Sequence, residues 1–106
     1  MGGSSKIPFE THLENLQEPA KTIMVDLRKF ALSLGGNVIE EVRPHRVVYA
    51  KTLNFRTFLD IEPAGDSLIV STKAGRGGPA AAVKVRTAQD ADAAKKQIAE
   101  AYQKVQ

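Results

Sequence analysis

The sequence predicts an α+β domain, a two-layer sandwich in which an antiparallel meander of four or five strands is flanked by an N-terminal and a C-terminal helix. Three observations predict it. Apolar residues recur at helical spacing up to Leu34 and again after Thr87, whereas between Val38 and Arg86 they alternate with a period of two. The breaks between the alternating runs are too short to hold the helix of a parallel crossover. A chain of 106 residues, finally, supplies one hydrophobic core and not two. We therefore place a single domain over residues 9–106, behind a polar, flexible N-terminus of residues 1–8.

Leu13, Leu16, Ile23, Met24, Leu27, Phe30, Ala31 and Leu34 form a helical stripe that breaks at Glu18-Pro19. Proline fits the first turn of a helix, so the spacing predicts a short helix over 9–16 and a main helix over 19–34. Its face Ile23, Leu27, Phe30 and Leu34 is expected to pack on the sheet. Gly35-Gly36 supplies the stop, where a left-handed residue is cheap only for glycine.

Strands follow over 38–42, 46–52, 55–62, 67–73 and 81–86, separated by turn-forming residues. In the third, parity puts Phe55, Thr57, Leu59 and Ile61 on the inner face and Arg56, Phe58, Asp60 and Glu62 on the outer one. In the fifth, Ala81, Val83 and Val85 face inward and Ala82, Lys84 and Arg86 outward. Val47-Val48-Tyr49 leaves the phase of its strand open. Thr87 with Asp90 three residues on reads as a capping box. The last helix, over 88–105, then turns Ala94, Ile98, Ala101, Tyr102 and Val105 inward and Lys95, Lys96, Glu100 and Lys104 outward.

Charge is distributed unevenly along this plan. The strand region from Arg43 to Arg86 carries eight Lys and Arg against three Asp and Glu, a net +5, while the remaining seven against nine leave −2. A basic sheet between near-neutral helices points to an anionic partner, nucleic acid among them, or to a protein. The residues expected to make that contact are Arg43, His45, Arg46, Arg56, Lys73, Lys84 and Arg86, with Phe58 as a stacking surface. Arg76, in the loop 75–79, joins them, because glycine-rich backbone presents N–H groups to a phosphate. That loop runs into a strand and lacks the Gly-Lys-Ser of a nucleotide-binding loop, so a plain hairpin connection is the competing reading.

Other chemistries have less support. Cysteine is absent, which excludes disulfides, thiolate metal sites and a cysteine nucleophile. His12 and His45 show no ligand spacing to each other or to a carboxylate cluster, and no Gly-x-Ser-x-Gly elbow exists. Asp60 and Glu62 point the same way and could act as an acid and base pair, but cross-strand partners for Arg56 or Lys73 explain them more simply. We expect no catalytic residues, no metal and no cofactor. No apolar run approaches the ~20 residues of a membrane helix, and no apolar segment of a signal peptide follows the N-terminus, so a cytoplasmic protein is expected.

His45-Arg46-Val47-Val48-Tyr49-Ala50-Lys51, then Asn54-Phe55, Asp60-Ile61-Glu62-Pro63, Val83-Lys84-Val85-Arg86 and a helix closing on Ala101-Tyr102 together form a pattern that resembles the uncharacterised domain of unknown function 5655. That domain also ends proteins labelled predicted transport proteins. The resemblance runs from the region of Phe9 to Tyr102 and implies a fold and an accessory role, without a reaction. The sequence departs from the family pattern at 75–79, where the family has a longer segment. The expectation is a binding or interaction module without catalytic activity, with a nucleic-acid-binding domain as the alternative and a hydrolase or transferase as the third reading.

Overall fold

The computed structural model describes residues 7–51, 56–73 and 80–104. In chain order these form a 3-10 helix (Phe9–Leu13), α1 (Ala20–Ser33), β1 (Val38–Val42), β2 (Val47–Lys51), β3 (Arg56–Pro63), β4 (Leu68–Lys73), β5 (Ala80–Val85) and α2 (Ala88–Lys104). All four strand pairs are antiparallel and the sheet order is β1-β2-β3-β4-β5, the expected meander with five strands. The helices cover one face. The predicted residues Phe55, Val105 and the loop with Arg76 lie outside the described residues.

The helix ends differ from expectation in instructive ways. The segment before Pro19 is a short 3-10 helix that ends at Leu13, and α1 starts one residue after Pro19, across a cis Glu18–Pro19 bond. Glu18 completes its first turn: the Thr22 backbone N–H and hydroxyl both donate to its Oε1, at 3.1 and 2.7 Å, which holds the carboxyl below the usual carboxylate range. α1 does not end on a left-handed glycine. Among the described residues the positive φ belongs to Gly65, at 76°, in the β3–β4 turn. Gly35 serves close approach instead, for a Cβ there would strike the Tyr102 hydroxyl and sit 2.8 Å from Asn37 Oδ1. The capping box at α2 forms as expected, with the Asp90 N–H donating to Thr87 Oγ1 at 3.0 Å and the Arg86 N–H to Asp90 Oδ2 at 3.0 Å.

The core lies between the helices and one sheet face, with Met24, Leu27 and Ala31 of α1 and Ile98 of α2 against Val47, Ile61, Val70 and Val85. The buried stripe of α1 is Ala20, Ile23, Met24, Leu27 and Ala31, so the predicted members Phe30 and Leu34 sit at its margin and are only half-buried. A polar network crosses from α1 to the sheet. Arg28 donates to both oxygens of Glu40, at 2.8 and 3.1 Å, and the Tyr49 hydroxyl donates to Glu40 Oε2 at 2.8 Å. Burial, then the Glu40 charge, pushes the Tyr49 hydroxyl pKa up, and the carboxylate bond raises that of Arg28. Tyr49 thus takes the inner face, settling the phase of β2.

Candidate functional site

Register decides which predicted residues share a surface. Tyr49 pairs with Leu59 but Ala50 pairs with Thr57, so Phe58 is an additional residue in β3 and the ladder bulges there. The bulge overturns the predicted parity of the strand's first half. Phe58 is fully buried on the helix side, its ring edge-to-face with Tyr102 at 5.3 Å, and Arg56 shares that side, opposite Lys51. Thr57 goes to the outer face. Asp60 and Glu62, beyond the bulge, point outward as expected.

The open face is therefore built from Ile39 and Glu41, Arg46, Val48 and Ala50, Thr57, Asp60 and Glu62, Ile69, Ser71 and Lys73, and Ala82 and Lys84. Its one arginine among the described residues is matched by carboxylates of the same chain. Arg46 donates to Asp60 at 2.9 Å and approaches Glu62 at 3.7 Å. Nearby, at the end of β1, Arg43 meets Glu41 at 2.7 Å, and at the end of β5 Arg86 meets Asp66 at 3.3 Å. The Asp60 bond is the main reason the Arg46 pKa is raised. These pairs are solvent-exposed, so each adds little to stability, but together they cancel much of the positive field that the sequence suggests. The Asp60 and Glu62 pair is likewise occupied by Arg46, and Glu40 lies on the opposite face, in contact with Arg28.

Two cations of the open face are different. Lys73 and Lys84 are exposed and have no ion pair among the described residues. Lys73 pairs with Ala80 and Lys84 with Ile69, so the lysines stand on either side of the Ser71–Ala82 pair. Four residues of strand separate their rows, about 13 Å at the usual rise. The floor between them is formed by the small residues Ser71 and Ala82, and β5 is an edge strand.

The structure also joins two residues whose proximity the sequence hides. His12 and His45 both line a cleft of about 270 Å³ between the 3-10 helix and the β1–β2 and β3–β4 turns, with Asn15 and Glu62. His12 is buried, and its Nε2 lies 2.7 Å from the Arg43 carbonyl oxygen. A carbonyl only accepts, so Nε2 carries the hydrogen and the ring is committed to holding the β1–β2 turn. His45 is exposed, as expected for a turn residue. No group of three His, Cys, Asp or Glu side chains able to hold a metal is found among the described residues. Nor, among them, is any helix long and apolar enough to cross a membrane.

A second concavity, about 540 Å³, runs between α1 and the start of α2, with Val25 and Ala91 among its apolar lining and Lys21, Lys29 and Asp92 among its charges. Its mixed charge selects no one ligand class. Comparison with protein-family models, with curated proteins and with solved structures finds no match.

Proposed function

We propose that the protein is a small binding module without catalytic activity of its own, and that it holds an acidic polypeptide segment along the β4–β5 margin of the open sheet face. The observation that carries this reading is the pair Lys73 and Lys84, exposed and without an ion pair among the described residues, on a face whose arginine is held by carboxylates. An extended segment with acidic residues four apart would meet both ammonium groups while its backbone ran over Ser71 and Ala82 or added to the free edge of β5.

Nucleic acid is the weaker partner on this geometry. Phe58 and Tyr49, the aromatics that would stack bases, are buried on the other side, and Glu41, Asp60 and Glu62 share the open face. The resemblance to the domain of unknown function 5655 accords with an accessory role and adds no reaction.

The test is a titration of labelled oligoglutamate, single-stranded DNA and duplex DNA against wild type and a Lys73→Gln, Lys84→Gln double variant at several salt concentrations. The proposal expects salt-sensitive binding of the acidic peptide, at least about tenfold weaker for the double variant. Tighter binding of DNA than of peptide, with a salt slope that falls by about two in the variant, would favour the nucleic-acid reading instead. Equal curves for the two proteins would remove the β4–β5 margin as the contact surface.

A further inference from the structure

The β2–β3 end of the sheet carries a second basic site, on the helix side. Lys51 closes β2, Arg56 opens β3, and the two face each other directly in the ladder. Like charges placed so repel one another. Lys51 has support, since its Nζ lies 4.3 Å from the Tyr102 ring centroid in the last turn of α2, where the helix dipole favours a cation. Arg56 has none of this. Its Nε is buried with no acceptor, and among the described residues it makes no ion pair. A buried N–H on a charged group is strongly unfavourable unless something accepts from it.

We propose that Arg56, with Lys51 beside it, receives one oxyanion group, a carboxylate or a phosphate, that takes the hydrogen bond its Nε lacks within the chain. A guanidinium presents its Nε–H and an adjacent Nη–H side by side, matching two oxygens of such a group, and Lys51 adds a second positive charge. The edge-to-face pair of Phe58 and Tyr102 gives the site an apolar flank, where a charge-assisted bond is stronger than in water. The site is on the face opposite Lys73 and Lys84 and does not rest on the β4–β5 reading.

The Arg56 Nε–Hε resonance reports on this directly. It would be assigned in the intact 106-residue chain by comparison with Arg56→Gln and followed while phosphate or acetate is added against a chloride control of equal ionic strength. The expected result is a saturable shift of that resonance and of the Tyr102 ring signals, absent in chloride, with saturation by phosphate or by acetate naming the source of the oxyanion. In Arg56→Gln the Tyr102 response should need at least about tenfold more anion, while Lys73→Gln with Lys84→Gln should leave the Arg56 response unchanged. An Nε–Hε signal that moves no more in either anion than in chloride would overturn the proposal, as would a Tyr102 response that survives Arg56→Gln or is lost with the two lysines.

Discussion

At Gly35, just beyond the end of α1, the chain passes so close to Tyr102 that a methyl group would collide with the hydroxyl, which donates to Asn37 Oδ1 at 2.7 Å. Tyr102 cannot retreat cheaply, because its ring is packed against Phe58 and under Lys51. Gly35→Ala should therefore destabilise the fold by about 1–2 kcal/mol in chemical denaturation, and no measurable loss would mean that the ring moves freely. Asp90 offers a pH-dependent counterpart. Hydrogen bonds from the Arg86 N–H, then from Thr87, lower its pKa. A carboxylate with a depressed folded pKa contributes stability that is present above the unfolded value, about pH 4, and is lost as pH falls through the folded one. Asp90→Asn should thus be less stable than wild type at pH 7, with the gap closing below about pH 4. A gap independent of pH would show that the charge is not what the cap uses. Both parts of the cap are legible in sequence, since Thr87 and Asp90 are three residues apart and need no tertiary partner to recognise each other. The role of Gly35 is not, because the atom that forbids a side chain there comes from the far end of the chain.

The elements were largely readable, and the strand that was not shows why. Helices and strands announce themselves through periods of 3.6 and two, which each segment carries alone, and the short turns then require a meander. A bulge is a property of two strands together. Nothing within Arg56–Pro63 marks Phe58 as the residue without a partner, yet that one insertion carries Phe58 and Arg56 to the helix side and Thr57 to the other. For α1 the period was right and the phase was off by part of a turn, because Phe30, large and apolar, packs at the rim with Lys95 Nζ 5.8 Å from its ring centroid. The two positions should separate experimentally. Leu27, fully buried, should cost about 2–5 kcal/mol on replacement by alanine, and Phe30, half-buried, below about 2 kcal/mol. Comparable losses at both would place Phe30 in the core after all.

Across the whole molecule, composition overstates the positive surface. The sequence counts eight cations in the strand region, but antiparallel pairing brings Arg46 to Asp60 and Glu62 and Arg86 to Asp66, and Arg43 meets Glu41 two residues back along the chain. For Arg46 and Arg86 the carboxylate partner depends on register, and so was hidden. Among the described residues, Lys73 and Lys84 on the open face and Arg56 behind it make no ion pair. The claim that the open-face pair is the contact surface for an acidic segment is tested most directly by mapping amide shifts of the 15N-labelled protein during titration with oligoglutamate at low salt. The account predicts saturable shifts concentrated on Ile69, Ser71, Lys73, Ala82 and Lys84, reversed by added salt. Shifts centred instead on Glu41, Arg43 and Arg46 at the opposite margin, or none at all, would contradict it.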